Sequence, residues 1–147
     1  DELIAEVGVK SQIGPSFGNN FNNRTEEALG SATDIWAAYR EGAFKPSSRP
    51  FLGYLMLLED CDRSRAAVKT VAPHFPVFPE FRGASYRDRY AILIEKMLRD
   101  RLYDGACFLL SQTESADTGD YVEPHPELTF VKFITPLLAR VAAICQT

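Results

Sequence analysis

The sequence predicts an α/β protein with a mostly parallel sheet flanked by helices. Three short apolar segments have the pattern of strands, and they alternate with three longer segments whose apolar residues recur every three to four positions. Such alternation is typical of parallel strands joined by right-handed crossover helices. At 147 residues and 46% hydrophobic composition, the chain is long enough for a single domain over residues 1–147 with a core of ordinary size.

The first strand is predicted over residues 3–11, where apolar and other residues alternate with period two. One face carries Leu3, Ala5, Val7 and Val9, and the other carries Ile4, Glu6, Gly8 and Lys10. The face with Glu6 and Lys10 is the chemically interesting one. On a strand, Gly8 and Lys10 are about 6.6 Å apart, and Glu6 is about 13 Å from Lys10.

A polar connection and a helix follow the first strand. Residues 14–23 are rich in Gly, Pro and Asn, which favours a loop, and Asn22 or Asn23 would cap a helix that begins near Arg24. The apolar stripe of that helix consists of Ala28, Ala32, Ile35, Trp36, Tyr39 and Ala43. Glu26 and Glu27 would then lie in its first turn, where the helix dipole favours negative charge.

The middle of the chain predicts a buried strand and a long connection. Residues 51–58 are apolar on both faces, which is typical of a central parallel strand. Residues 61–84 contain several prolines and aromatic residues, so we expect an irregular covering loop. Ser85 and Asp88 form a capping-box pattern for a helix that ends near Asp104.

The last two elements are a short strand and a helix. Residues 106–111 form a third apolar strand, and the segment after it has the composition of a solvated turn. Pro126 and Glu127 would open a final helix that continues through Ile144, with a kink near Pro136.

Composition excludes several classes of protein. The formal charge of −4 and the pI near 5.2 argue against a protein that coats nucleic acid without specificity, although they leave room for a local basic cleft. No apolar run approaches 18 residues, so we expect no membrane span. Cys61, Cys107 and Cys145 are an odd number of widely spaced cysteines, which favours a reduced, cytoplasmic protein.

Two polar clusters are expected to converge at one edge of the sheet. Ligands of parallel sheets bind beyond the carboxyl ends of the strands, where residues 10–23 and 59–62 would emerge. A lysine there could orient a water molecule or stabilise developing phosphorane charge, and carboxylates could hold Mg²⁺. This combination suits hydrolysis of a phosphodiester.

Four long blocks of sequence cover most of the chain in order: "VKSQIGPSFGNNFNNRTEEALGSATDIWAAYREGAF", "FLGYLMLLEDC", "PHFPVFPEFRGASYRDRY" and "RLYDGACFLLS". Together they resemble the XhoI family of type II restriction endonucleases. The resemblance implies a restriction-endonuclease-like PD-(D/E)xK core. It also implies Mg²⁺-dependent cleavage of double-stranded DNA by a homodimer, at a palindromic site such as CTCGAG, within a restriction-modification system.

The resemblance assigns Lys10 as the lysine of the acid-x-Lys motif, and the acidic position two residues earlier falls on Gly8. Glycine has no carboxylate. Either Glu6 supplies one from the same face of the strand, or Glu26 or Glu27 supplies one from the following helix. The candidate catalytic residues are therefore Lys10, Glu6 and Glu26. The candidate metal ligands are Glu6 and Glu27. The family's other Asp should lie on a preceding strand, and Asp1 is too close to Lys10. We therefore expect the C-terminal part of a longer nuclease, without its first strands.

The polar connection is a candidate DNA-contacting segment in this family context. Amide side chains can contact base edges, while hydroxyl and amide groups can bind phosphate. The candidate residues are Gln12, Ser16, Asn19, Asn20, Asn23 and Arg24. The segment lacks the G-x-x-x-x-G-K-[ST] pattern, which excludes a P-loop.

Several of these residues also have a simpler, purely structural interpretation. Lys10 could be a solvated surface charge, Glu26 and Glu27 could be ordinary first-turn acids, and Glu59, Asp60 and Asp62 could be a charged strand exit. Two other functions also fit the sequence. One is a non-catalytic DNA-binding or dimer-forming remnant of a nuclease, and the other is a small enzyme that acts on a phosphorylated metabolite.

Overall fold

The computed structural model describes residues 2–115 and 117–145 and contains a three-stranded parallel sheet flanked by helices. This confirms the predicted α/β class. The strands and helices are β1 Ala5–Gln12, α1 Phe17–Arg40, β2 Phe51–Glu59, α2 Asp62–Arg65, α3 Tyr86–Arg99, β3 Gly105–Ser111 and α4 Phe130–Cys145. Short 3-10 helices occupy Pro79–Phe81 and Thr113–Ser115.

The strand β2 is central and pairs in parallel with both neighbours, in the order β1-β2-β3. In this register Gly8 lies opposite Tyr54, and Lys10 lies opposite Met56. Most of β2 is buried, since helices cover parts of both faces, which agrees with its continuous apolar sequence.

The two faces of the sheet form separate cores. On one face α1 and α3 pack over the larger core, which includes Trp36, Tyr54, Tyr90 and Phe108. On the other face α4 covers a smaller cluster of Phe51, Cys107, Leu109 and Phe133. The α1 side of the sheet is the one that carries Glu6, Gly8 and Lys10.

The start of α1 differs from the prediction. The helix begins at Phe17, after Ser16, so the Asn-rich segment forms its first two turns and neither Asn22 nor Asn23 is the cap. Buried Phe17 and half-buried Phe21 continue the apolar stripe of Ala28 and Ala32 backwards along the chain. Packing of this face outweighs the weak helix propensity of Gly and Asn, because tertiary contacts supply most helical stability.

The helix α3 has the predicted capping box but ends earlier than expected, at Arg99. The Ser85 hydroxyl accepts from the Asp88 amide, and the Asp88 carboxylate accepts from the Ser85 amide. After the helix, Asp104 accepts a hydrogen bond from the Leu52 amide and forms an ion pair with Arg49. These contacts join the segment after α3 to the start of β2, where continued helix would not reach.

The helix α4 begins at Phe130, later than the predicted start at Pro126 and Glu127. Residues 126–128 form a turn, which is closed by a hydrogen bond from the Leu128 amide to the His125 carbonyl. Pro136 lies inside the helix, as expected. In the described part of the chain, no helix is both long and apolar enough to cross a bilayer.

Candidate active site

A cavity of about 130 Å³ lies between β1 and α1 and collects the candidate catalytic side chains. Glu6, Gly8 and Lys10 approach it from the strand, and Glu27 approaches it from the helix. The period of two along β1 therefore places these strand residues on one face, as predicted. Small buried residues, Ala28 and Ala32, let α1 pack closely against this part of the sheet.

Glu27 pairs with two cations, Lys10 on the strand and Arg24 on its own helix. Its Oε2 lies 3.4 Å from Lys10 Nζ, and the same oxygen accepts a hydrogen bond from Arg24. The Arg24 hydrogen bond is the main cause that lowers the pKa of the Glu27 carboxyl; Lys10 also lowers it, and partial burial opposes both. Glu27 is thus held as a carboxylate beside Lys10.

Glu6 lines the same cavity, close to the phenol of Tyr103. Burial, with the Glu6 charge as a second cause, raises the pKa of Tyr103 to about 12. The Tyr103 hydroxyl donates a hydrogen bond of 2.7 Å to the Ala28 carbonyl and so ties α1 to the segment before β3. Tyr103 therefore remains a neutral hydrogen-bond donor that helps to fix the helix over the cavity.

Gly8 lies two residues before Lys10, where the acid-x-Lys motif expected from the sequence would place an acid. A Cβ atom built there would lie 3.7 Å from Tyr54 Cδ2 and 3.9 Å from the Gly53 carbonyl oxygen, which are ordinary contacts. Close packing at the Cβ position therefore does not account for the glycine at residue 8. Among the described carboxylates, Glu6 and Glu27 line the cavity, and Glu27 is the one paired with Lys10.

Glu26 lies outside the candidate site. It is exposed on α1 and is absent from the lining of the cavity, because the helical turn of about 100° per residue carries it away from the face that bears Glu27. Both acids also lie in the third turn of α1, so the predicted first-turn position is wrong. The geometry favours Glu27 over Glu26.

Gln12, predicted to contact DNA, is buried and already satisfied. Its amide nitrogen donates to the Phe17 carbonyl at 3.1 Å, and its amide oxygen accepts from the Tyr90 hydroxyl. With both ends of the amide engaged inside the protein, the side chain is structural. It connects the end of β1 to α1 and α3.

The other DNA-contact candidates lie at the start of α1, with Ser16 directly before the helix and the rest on its first turns. Ser16, Asn19 and Asn23 are exposed, and Asn20 is half-buried. Arg24 is partly committed to Glu27. Gly18 serves close packing, because a Cβ there would lie 2.8 Å from the Tyr86 hydroxyl of α3. The candidates thus form a polar surface at the N-terminal end of α1.

Glu59 supports the turn between β1 and α1. Its two carboxylate oxygens accept hydrogen bonds of 2.7 Å from the Gly14 amide and 3.0 Å from the Thr113 hydroxyl. The Gly14 hydrogen bond is the main cause that holds the pKa of Glu59 below its usual value. The two polar clusters do converge at this edge, as predicted. Glu59 stabilises the turn there through its hydrogen bonds with Gly14 and Thr113.

A larger cavity, of about 400 Å³, opens at the carboxyl ends of the strands on the α4 side. Its lining is mostly apolar and includes Ile13, Leu57, Leu109 and Tyr121. It contains no lysine or arginine, and Glu59 in its wall is already hydrogen-bonded. The smaller cavity beside Lys10 is therefore the better candidate for phosphate chemistry.

Two tyrosines of the site were not identified as site residues from the sequence. Tyr54 and Tyr103 line the cavity beside Glu6, and both are buried. The period of two in β2 indicates that Tyr54 points to the same side as Leu52 and Met56, but it does not say which helix covers that side. No group of three or more His, Cys, Asp or Glu residues suited to a metal ion occurs in residues 2–115 and 117–145.

The fold and the site together define an α/β protein with a lysine and carboxylates between one strand of a parallel sheet and the following helix. The family model described as "Restriction endonuclease XhoI" matches residues 1–123. The chain therefore belongs to the XhoI restriction endonuclease family.

Three curated relatives are similar to the chain. The type II restriction enzyme BstVI of Geobacillus stearothermophilus is 54% identical over 140 residues, which is 95% of this chain and 62% of the relative. The type II restriction enzyme XhoI of Xanthomonas vasicola is 55% identical over 97 residues, 66% of this chain and 39% of the relative. The type II restriction enzyme AbrI of Azospirillum brasilense is 62% identical over 73 residues, 50% of this chain and 33% of the relative.

The chain thus spans less than two thirds of the length of these relatives. No solved structure matches it at a significant level.

Proposed function

We propose that the protein is a type II restriction endonuclease that hydrolyses phosphodiester bonds in double-stranded DNA with Mg²⁺. The observation that carries the proposal is the Lys10–Glu27 pair beside Glu6 in a cavity between β1 and α1, in a chain that belongs to a restriction endonuclease family. The PD-(D/E)xK core belongs to this proposal, with Glu27 in the role that Gly8 cannot fill.

The residues of the cavity fit Mg²⁺. Mg²⁺ prefers oxygen ligands, retains several waters and is commonly bound by one or two carboxylates together with substrate phosphate oxygens. Glu6 and Glu27 would supply those carboxylates. When bound, the ion would neutralise phosphate charge and lower the pKa of a coordinated water.

Lys10 and the carboxylates would have separate roles in hydrolysis. In hydrolysis a water molecule gives up a proton as its oxygen bonds to phosphorus, the bond from phosphorus to one sugar oxygen breaks, and that oxygen takes up a proton and leaves as a hydroxyl group. The Lys10 ammonium would lie against a non-bridging phosphate oxygen and stabilise the charge that grows there. Arg24 would keep Glu27 ionised and correctly placed while Lys10 turns to the substrate.

DNA contact is proposed for the polar surface at the start of α1. The exposed side chains of Ser16, Asn19 and Asn23, together with Asn20, would contact phosphates or base edges, and Arg24 lies between them and Glu27. The proposed recognition site is a palindrome of the CTCGAG type. Cytoplasmic action within a restriction-modification system completes this proposal.

A palindrome has two-fold symmetry, so we propose a homodimer as the working form. The outer face of α4 has suitable chemistry for such contact. Lys132 is the single charged residue among the exposed positions of this helix. The residues Val131, Thr135, Leu138, Ala142 and Cys145 recur at alternating spacings of four and three, which suits packing against another helix.

The decisive experiment incubates the purified protein with plasmid DNA and Mg²⁺, beside Lys10→Ala and a matched Lys45→Ala control on an exposed turn. We expect discrete fragments from the protein and from Lys45→Ala. Lys10→Ala should bind the same duplex with little change and leave it uncut. Unaltered cleavage by Lys10→Ala would refute the motif assignment, and binding without fragments by every form would support the alternative, an inactive DNA-binding remnant.

A further inference from the structure

The connection between α2 and α3, called here the α2–α3 loop (residues 66–85), has an ordered base. Ala67 and Ser85 form an antiparallel bridge, and the Val68 amide donates to the Ala84 carbonyl at 3.1 Å. This base lies where α3 begins, next to the first turn of α1, because the rings of Phe17 and Tyr86 stack at 5.6 Å. The base of the loop therefore adjoins the first turn of α1, where the polar surface begins.

The chain concentrates positive charge around this loop. Residues 63–89 contain six Lys and Arg and two Asp and Glu, a formal charge of +4 in a chain whose total is −4. Both acids are engaged within the protein, since Glu80 pairs with Lys96 at 2.7 Å and Asp88 accepts from Ser85. The cations that form no ion pair with any described residue include Arg63, Lys69, Arg82 and Arg87.

The same loop exposes large apolar side chains. Phe75 is 83% exposed and Phe78 is 69% exposed. Phe78 has a partner, because the Lys96 ammonium lies 5.5 Å from its ring centroid. Phe75 makes no aromatic or cation–π contact with the rest of the described chain. An exposed aromatic ring on a segment rich in cations without ion pairs is the combination with which proteins hold nucleic-acid backbones and stack on bases.

We propose that the α2–α3 loop is a DNA-contacting element, in which Lys69 and Arg82 bind backbone phosphates and Phe75 inserts at a base step and stacks against the base that this unstacks. The proposal rests on the nuclease function and specifies how its DNA is held. It also locates a basic surface on an otherwise acidic protein. A second copy of the chain is a poorer partner for this surface, because a two-fold contact would place its positive charges against each other.

The phosphate contacts are tested by the salt dependence of duplex binding. The anisotropy of a short fluorescein-labelled duplex that contains CTCGAG is measured at several salt concentrations, in EDTA so that it is not cut. Each lost phosphate contact lowers the slope of log K against log salt by about 0.9, so Lys69→Ala with Arg82→Ala should lower it by about 1.8 for each protomer, or about 3.6 for the proposed dimer. The matched control is Arg40→Ala with Lys45→Ala, two exposed cations at the opposite end of α1.

The stacking contact is tested by substitutions that separate an aromatic ring from apolar bulk. Phe75→Ala and Phe75→Leu should each weaken duplex binding about tenfold, and Phe75→Trp should retain it. Leu29→Ala, which changes an exposed apolar residue on α1 outside the proposed dimer face, should have no effect. Sedimentation of the same variants reports whether Phe75 instead contacts a second copy of the chain.

An unchanged salt slope in the double cation variant, while the parent protein binds and cuts DNA, would overturn this proposal and leave the nuclease function intact. A change of oligomeric state in Phe75→Ala without loss of duplex affinity would also overturn it. Duplex binding that responds as expected, in a protein that fails to cut, would support the loop assignment and remove the nuclease function. Absence of any duplex binding by the parent protein would overturn both.

Discussion

Lys10 Nζ on β1 lies 3.4 Å from Glu27 Oε2 on α1, so a direct ion pair joins the strand and the helix that form the candidate site. The neighbouring Glu26 provides a matched comparison, because it lies on the same helix and is exposed away from the cavity. We expect Glu27→Gln to lower the rate of plasmid cleavage on the order of a hundredfold, through loss of a metal-binding carboxylate.

Glu26→Gln should cleave at the parental rate in the same assay. Equal losses in the two variants, or a loss confined to Glu26→Gln, would contradict the assignment of Glu27. Magnesium titrations of both variants add a second readout, since only Glu27→Gln should need a higher concentration of the ion.

Gly8→Asp should restore a carboxylate to the motif position. The cavity accepts a Cβ atom at residue 8 with ordinary contacts to Tyr54 and Gly53. We expect the double variant Gly8→Asp with Glu27→Gln to cut DNA at least about tenfold faster than Glu27→Gln alone, because the new carboxylate would replace the lost ligand. Gly8→Ala in the same background supplies the Cβ without the carboxylate and should give no rescue.

Glu59→Gln should change how stability responds to acid. Hydrogen bonds from Gly14 and Thr113 hold the pKa of folded Glu59 below its unfolded value of about 4.3. The ionised carboxylate thus contributes stability that is complete above about pH 4.3 and is lost as pH falls through the folded pKa. Melting temperatures measured from neutral to acid pH should fall less steeply below about pH 4.3 in Glu59→Gln than in the parent.

At neutral pH the Glu59→Gln protein should be the less stable of the two, since a charged acceptor forms stronger hydrogen bonds than a neutral amide oxygen. Glu26→Gln, on an exposed face, serves as the control for the loss of one negative charge. Parallel melting curves for Glu59→Gln and the parent at every pH would show that Glu59 does not brace the turn.

Leu138→Glu should convert the proposed homodimer into a monomer. Leu138 is 58% exposed at the centre of the uncharged face of α4, and a carboxylate there would be buried unpaired in a helix-to-helix contact. Leu29→Glu provides the control on α1, where the parental leucine is 38% exposed. Sedimentation equilibrium should show one mass for the parent and Leu29→Glu and half that mass for Leu138→Glu; a parent protein that sediments as a monomer would refute the dimer.

Apolar periodicity determined the type and order of the main elements. The run at residues 51–58 indicated a buried central strand, and period two in residues 3–11 placed Glu6, Gly8 and Lys10 on one face. Both predictions are confirmed because side-chain direction along a strand depends on local backbone geometry alone. The capping box at Ser85 and Asp88 is equally local and was also correct.

Tertiary structure decided the features that depend on partners distant in sequence. Gly and Asn residues predicted a loop before Arg24, yet burial of Phe17 and contact of Phe21 with Tyr90 extend α1 back to Phe17. Because α1 begins earlier than predicted, Glu27 lies in its third turn and not in its first. There it pairs with Lys10 across the cavity. In the same fold the Glu26 side chain is exposed and the Gln12 side chain is buried.

The sequence by itself thus determined which chemical groups the protein has, their face on β1 and the absence of an acid at Gly8. Only the folded chain decided which carboxylate lies beside Lys10, since that depends on how α1 packs across the sheet, through Ala28, Ala32 and the Tyr103 hydrogen bond. The physical reason is that periodicity fixes the direction of a side chain relative to its own strand or helix, while the contact between two elements depends on the packing of both.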